Sequence, residues 1–423
     1  MTEAAPRRRW LTRNATGPVG AWAAFAVVHL TLALINLLDD VHVPFGDVVY
    51  VYRFWMDYAA EHGVLVGIDT TWVYPVGALL PMGFAYLFGP GPYGEMWLLL
   101  VTALDAVAFA VLLRRSPAAA WWWVAFLAAL GPVAVGRIDA ITAPLAILGL
   151  LWLATRPLIA GALLALATWI KVWPAALLAA AVIALRRRAA VVSGAALLTA
   201  VVLAVALLLG TGANVLGFIT EQGERGLQVE APVSAFWLWQ AALGVPGTRV
   251  YYDQQMLTYQ VLGTGTRAVA AVMTPLLVVA VAAILLLGVR AVRRGVEATA
   301  LLAPLSLALV LVLIVVNKVG SPQYIVWLAP PVLLGIVTSR PAVRAGGGLV
   351  LGIAAGTQIV YPWAYSWLIV ADPVVAALLT ARNLALIVLL VLTLRGLWSL
   401  PAGGAPAAAD RSRGESRALL PEV

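Results

Sequence analysis

Cysteine is absent from this 423-residue sequence, which excludes a disulfide framework, a thiolate metal site and a thiol nucleophile. Lysine is almost absent too: Lys171 and Lys318 are the only two. Charged residues make up 11% of the chain, whereas 63% of it is hydrophobic and the mean hydropathy is +0.97. No soluble core could hide so much apolar surface, so the chain reads as an all-α polytopic membrane protein with the lipid bilayer as its first partner. A formal charge of +8 would also suit nucleic acid, but the arginines fall in short runs between apolar stretches, the positive-inside pattern, and nucleic acid is set aside. The histidines, His29, His42 and His62, have no metal-ligand spacing with the scattered carboxylates, so no metal is expected. The bias toward Ala, Leu, Val and Arg points to a GC-rich bacterial genome.

Residues 1–17 carry Arg7, Arg8, Arg9 and Arg13 ahead of the first apolar run, which predicts a cytoplasmic N-terminal tail. A span at about Pro18–Leu38 ends in Asp39, Asp40 and Asp47, carboxylates that belong at the membrane surface or in a wet cavity. Arg53, Asp57 and Glu61 then recur every fourth residue with Val51, Trp55 and Tyr58 on other faces, the pattern of a helix lying in the interface. Residues 39–74 therefore read as an external loop. Apolar stretches follow at roughly 75–89, 93–113, 119–136, 139–155, 158–185 and 189–209. The charge bias favours an arrangement in which 75–89 dips in and returns and 158–185 breaks at Lys171–Pro174. That puts the arginine clusters inside and Asp139 and Lys171 in the outer half. Residues 211–266, rich in Gly, Gln and aromatics, form a second external segment expected to cap a cavity. Spans at about 268–289, 297–316, 322–338, 346–362 and 374–394 complete a membrane domain over 18–395, and a disordered cytoplasmic tail is expected at 396–423.

Both lysines lie in or against apolar spans, where a cation is expensive and needs a reason. Lys171 sits in TWIKVWP, just ahead of Pro174; Lys318 sits in NKVGSPQYIVW, where Gly320 and Pro322 break the helix beside Ser321, Gln323 and Tyr324. An anionic lipid phosphate is a natural partner for such cations, and snorkelling to the interface is the plainer alternative. Attack of a sugar hydroxyl on an anomeric carbon calls for a general base, and Asp47, between Gly46 and the interfacial helix, is best placed. Asp39 and Asp40 are its rivals and also read as stop-transfer charges. Asp139, in the GRID stretch from Gly136, reads as a helix N-cap, as the partner of Arg137, or as a site residue. His29 reads as a packed or hydrogen-bonded core residue. Trp72 and Tyr74–Pro75 close the loop and could line a sugar site.

Taken together, five segments resemble the GT-C glycosyltransferases. They are GDVVYVYRFW with Asp47 and Arg53, WVYPVGALLP with Tyr74, GRID with Arg137 and Asp139, AGALLALATWIKVWPA with Lys171, and KVGSPQYIVWLAPP with Lys318, Gln323 and Tyr324. Over roughly residues 18–395 the chain resembles in particular the polyprenol-phosphate-mannose-dependent mannosyltransferases of glycosyltransferase family 87, common in actinobacteria. It departs from that pattern at Val76, where the family often has a second proline, and at Arg137, where it often has glutamine. Both departures bear on the acceptor pocket.

The resemblance implies a GT-C fold of about twelve transmembrane or half-membrane helices in the plasma membrane, with an extracytoplasmic active site. It implies transfer of mannose from a polyprenyl-phosphate-mannose donor to a glycolipid or lipoglycan acceptor, inverting, to form an α-mannoside. Asp47 then takes the catalytic-base role, Lys318 and Lys171 bind the donor phosphate, and Asp139, Arg137, Tyr74, Arg53, Gln323 and Tyr324 serve the acceptor or support the site. No nucleotide or metal cofactor is implied, because fixed cations can stabilise a phosphate leaving group. Two other readings stay open: a transferase of a lipid-linked pentose or other hexose, and a transporter or flippase of lipid-linked sugar, which would also use buried lysines and broken helices.

Overall fold

A computed structural model of the protein describes residues 17–221 and 225–402. The tail expected at 1–17 lies, Gly17 apart, outside the described residues, as does residue 403 onward of the tail expected at 396–423. Within that second tail the last helix continues to Trp398, past the boundary expected at Arg395.

The chain opens with α1 (Pro18–Leu38), followed by a loop and a wide π-type turn (Asp47–Tyr52) that runs directly into α2 (Arg53–His62). A short α3 (Leu79–Tyr86) leads to α4 (Tyr93–Arg115), α5 (Pro117–Leu130), α6 (Asp139–Trp152), α7 (Pro157–Ile170), α8 (Ala175–Ala184) and α9 (Arg188–Leu208). The middle of the chain holds α10 (Gly217–Glu221), α11 (Ala235–Ala242) and a hairpin of β1 (Arg249–Asp253) and β2 (Thr258–Leu262). The second half is α12 (Thr266–Arg293), α13 (Ala298–Val315), α14 (Ala329–Val337), α15 (Pro341–Gln358), α16 (Tyr365–Ile369) and α17 (Pro373–Trp398). Among the described residues, seven helices are long and apolar enough to cross a membrane: α1, α4, α5 with its extension to Ala134, α9, α12, α13 and α17. The protein is a multi-pass membrane protein.

The remaining apolar helices are short for physical reasons visible in the sequence. The stretch expected at 158–185 is interrupted as predicted: α7 stops at Ile170, Lys171 is extended at φ −152° and ψ 132°, and α8 starts after Pro174. At 14 and 10 residues these halves reach only about 21 and 15 Å, against a hydrocarbon core of about 30 Å. The stretch expected to start a span at 322 begins instead as a 3₁₀ turn over Pro322–Leu328, and only Ala329–Val337 is α-helical. Pro at the first helical turn and a side-chain cap mark two clean starts. Ser116 accepts from the Ala119 N–H ahead of α5, and Asp372 accepts from the Val374 and Val375 N–H groups ahead of α17.

The core is centred on α6, buried along its length from Asp139 to Leu151, and on α13, two-thirds buried. Such all-round burial forbids the polar stripe of a surface helix, and it makes these two helices the fixed frame against which the site is built. His29 on α1 is a hydrogen-bonded core residue as expected: Nδ1 lies 3.0 Å from the Phe25 carbonyl and Nε2 3.1 Å from Asp105 on α4, clamping the two helices.

Candidate active site

Asp47 owes its position to the loop ahead of it. Phe45 is buried and wedged against Gly94 and Gly136, where an added Cβ would come within 2.9 and 3.2 Å of its ring, so both neighbours have to be glycine. Arg137 then ties the loop down: one guanidinium nitrogen donates to the Pro44 carbonyl at 2.6 Å and to the Gly136 carbonyl at 2.8 Å. Its Nε faces Asp47 at 3.1 Å, and its other terminal nitrogen donates to the Tyr361 hydroxyl at 2.5 Å. The Arg137 side chain is 4% exposed and that of Asp47 is 37% exposed, so a buried cation holds the root of a carboxylate that opens into a cavity. This fixed opposite charge aims the Asp47 carboxylate into the cavity.

Asp139 is not Arg137's partner, nor is its side chain a helix cap. Within the first turn of α6 it accepts the Trp327 indole N–H at 2.6 Å and faces Lys171 Nζ at 3.5 Å. Trp173 stacks on Trp327 at 5.6 Å and donates to Thr142 at 3.0 Å, which fixes this wall. The Lys171 ammonium also lies 4.6 Å from the Tyr74 ring and 5.8 Å from the Tyr324 ring, cation–π distances that soften the cost of burial. The break before Pro174 frees Lys171 from the helix and lets it reach both.

Lys318 is placed by a stitched crossing of two chain segments. The Gln228 N–H donates to the Lys318 carbonyl at 3.0 Å, while the Gln228 side-chain oxygen receives the Gly320 N–H and the Ser321 hydroxyl, each at 3.2 Å. Gly320 lets the strands approach: an added Cβ there would lie 2.4 Å from the Ala231 nitrogen. The crossing brings Arg225 into electrostatic reach of both Lys171 and Lys318. Burial first, and then the Arg225 charge, lower the Lys318 ammonium below its ordinary range, and a new anion there would relieve both effects.

These residues surround two adjoining cavities. One, of about 290 Å³, is polar: Asp47, Arg137, Arg225, Gln228, Glu230 and Gln323 line it, with Tyr52, Tyr361 and Tyr365, under the tip of the β1–β2 hairpin. The other, of about 540 Å³, is largely apolar, with Leu277, Val281, Leu285, Leu309 and Leu313 along it and Lys171, Asn317, Lys318 and Tyr324 at its polar end. Val73 and Tyr74 belong to both, forming the partition.

The sequence-predicted residues thus divide. Asp47, Arg137 and Gln323 share the polar chamber; Lys171, Lys318 and Tyr324 share the apolar cavity; Tyr74 joins them. Two are not brought to the site. Asp139 lines neither cavity and acts as the counter-ion of Lys171, while Arg53 pairs with Asp57 at 3.7 Å on the exposed side of α2. The rival base Asp39 accepts the N–H groups of Val41 and His42 as a turn cap, and neither it nor Asp40 lines a cavity.

Sequence reasoning missed Arg225, Glu230, Tyr361 and Tyr365. Glu230 is 2% exposed, and burial pushes its carboxyl up to about 6 in spite of the hydrogen bond donated by Tyr365 at 2.8 Å. The only advance signal was that Arg225 and Glu230 stand in a long segment too structured to be a linker.

A family model described as glycosyltransferase family 87 matches residues 72–316, more than half of the chain. The match takes in Tyr74, Arg137, Asp139, Lys171, Arg225 and Glu230; Asp47 lies before it and Lys318 after it. No curated protein and no solved structure matches the chain.

Proposed function

Because the chain belongs to glycosyltransferase family 87, we propose that this membrane glycosyltransferase moves mannose from polyprenyl-phosphate-mannose to a glycolipid or lipoglycan acceptor on the extracytoplasmic face of the plasma membrane. The observation that carries the reading is the pair of cavities of opposite polarity meeting at Tyr74, with cations at the junction. A prenyl chain suits the apolar cavity, its phosphate suits Lys171, Lys318 and Arg225, and the sugar would then pass Tyr74 into the polar chamber.

There the acceptor hydroxyl attacks the anomeric carbon from the face opposite the phosphate. The new carbon–oxygen bond forms as the bond to the phosphate oxygen breaks, and the phosphate leaves with the electron pair. The hydroxyl proton passes to Asp47, and a β-linked donor yields an α-mannoside. Negative charge grows on the departing phosphate, so cations fixed beforehand favour the transition state over the bound donor. Arg137, its Nε 3.1 Å from the carboxylate, holds Asp47 in place for that transfer.

The test is incubation of purified protein in lipid nanodiscs with labelled polyprenyl-phosphate-mannose and candidate glycolipid acceptors. A labelled α-mannoside, absent with Asp47→Asn, is the expected result. Transfer of a pentose or another hexose from the matching carrier, with mannose inert, would replace the sugar. Counterflow of lipid-linked sugar without any product would overturn the transferase reading.

A further inference from the structure

Glu230 is the buried acid that the transfer step leaves unused. It sits in the polar chamber, outside the membrane-length helices, on the segment stitched to Lys318. Its backbone is held as well: Asn383 of α17 donates to its carbonyl at 3.3 Å. One carboxyl oxygen, Oε1, receives the Tyr365 hydroxyl at 2.8 Å. The other, Oε2, is buried and accepts no hydrogen bond of good geometry among the described residues, although the Gln228 side chain lies near enough to act on the carboxyl. A buried carboxylate oxygen without a donor is rare in folded proteins and asks for an explanation.

Its surroundings narrow the explanation. Arg382 of α17 lies near enough to act on the carboxyl electrostatically, yet it supplies no hydrogen bond to it, and Asp47, Arg137 and Arg225 face the same chamber. Glu230 lines the chamber, so a donor bound there is placed to complete its hydrogen bonding. A cation is disfavoured there, because Arg137 and Arg225 already line the space and Arg382 acts on the carboxyl from beside it. A neutral hydroxyl suits it: it donates to Oε2 and can accept from the neighbouring Gln228 or Gln323 amide, both of which line the chamber.

We propose that Glu230 is a sugar-recognising residue whose Oε2 accepts the hydrogen of a hydroxyl on the acceptor glycan, one not itself glycosylated. The acceptor rather than the donor is assigned because Glu230 shares the chamber with the base Asp47, whereas the donor's phosphate is held back at the Tyr74 partition. A site built to bond a hydroxyl rejects analogues that lack it far more strongly than an apolar pocket does, so Glu230 selects among acceptors. This assignment rests on the chamber being the acceptor's place.

Wild type, Glu230→Gln and Glu230→Asp are compared in nanodiscs, with thermal melting confirming that each is folded. Glu230→Gln keeps an oxygen for Tyr365 but loses the charged acceptor. The expected result is an acceptor KM raised roughly tenfold, with the donor KM and turnover number nearly unchanged, and partial recovery in Glu230→Asp. A rise in donor KM alone, a fall in turnover at constant KM values, or unchanged kinetics would each overturn the assignment.

A second arm needs no transfer. Binding of methyl glycosides of mannose, glucose and arabinose is read by tryptophan fluorescence, since Trp55 lines the chamber. Weaker binding in Glu230→Gln of a glycoside that wild type binds supports the assignment even where mannosyl transfer fails. Equal binding in both proteins, or none in wild type, would overturn it.

Discussion

Asp139→Asn separates the two jobs that Lys171 could have, as a charge satisfied within the fold and as a ligand for an incoming phosphate. The substitution keeps size and leaves an amide oxygen to accept the Trp327 indole, so the Trp173–Trp327 stack survives. What disappears is the negative charge 3.5 Å from Nζ. The Asp139 side chain is 1% exposed and that of Lys171 15%, so water screens the pair weakly. Removing one partner of a buried ion pair costs about 3–5 kcal/mol. The Tyr74 and Tyr324 rings remain close to the ammonium, so a loss near 3 kcal/mol is expected. Thermal unfolding in nanodiscs, with and without polyprenyl phosphate, measures it. The variant should melt lower than wild type, and polyprenyl phosphate should raise its midpoint further than it raises wild type, because the phosphate replaces the missing carboxylate. An unchanged melting temperature would show that Lys171 does not depend on Asp139, and equal ligand shifts in the two proteins would remove Lys171 from the phosphate site.

Four shorter predictions follow from the same geometry. Asp47→Asn should fold and bind donor yet lose turnover by about a hundredfold or more, and wild-type turnover there would take the base role from Asp47. Lys318→Gln should raise the donor KM and lower turnover, by about 1.5–3 kcal/mol of charge-assisted contact, with Lys318→Arg between; kinetics that match wild type would return Lys318 to a packing role. Glu230, held at about 6 instead of 4.5, is protonated more readily in the folded chain, so its contribution is fully present below about pH 4.5 and is lost as pH rises through 6. Glu230→Gln should therefore be more stable than wild type by about 2 kcal/mol at pH 8 and equal to it near pH 4, in denaturant titrations at both pH values. Ile138 and Ala140 are too buried to be labelled, but Val41, Leu243 and Ser399 are exposed, so an impermeant maleimide on intact cells should mark Val41→Cys and Leu243→Cys and spare Ser399→Cys; the reverse pattern would invert the topology.

Residues that betray themselves by cost were legible in the sequence. Two lysines against apolar spans, a proline in the middle of a run that would otherwise continue, and an aspartate ahead of a helix of mixed charge are each improbable on their own, and each falls at a cavity or a helix break in the fold. What stayed hidden is who meets whom. Asp47 and Arg137 are ninety residues apart, and nothing local couples them; the coupling comes from Phe45 wedged at Gly136. Asp139 next to Arg137 invited a pairing that helix geometry refuses, because α6 starts between them and turns the carboxylate toward Lys171. Tyr361 and Tyr365 look like ordinary interface aromatics until α15 and α16 bring them to Arg137 and Glu230. Arg53 shows the opposite error: a helical charge pattern is visible in sequence, but which side faces solvent is decided by α3 and Tyr86, whose hydroxyl holds Asp57 at 2.8 Å.

The cation cluster at the junction of the two cavities also governs how a reaction cycle would close. A donor arrives as a phosphodiester with a single negative charge; once its sugar has gone, the carrier left behind is a monoester with more. On the proposed reading, Lys171, Lys318 and Arg225 would tell loaded from spent carrier only by that charge, and it would make them grip the spent one harder. Discharge of the empty carrier back into the bilayer, rather than bond formation, would then be the slow step. Free polyprenyl phosphate would act as a competitive product inhibitor, and the rate of glycan synthesis would answer to how quickly the membrane clears and recycles its own lipid carrier.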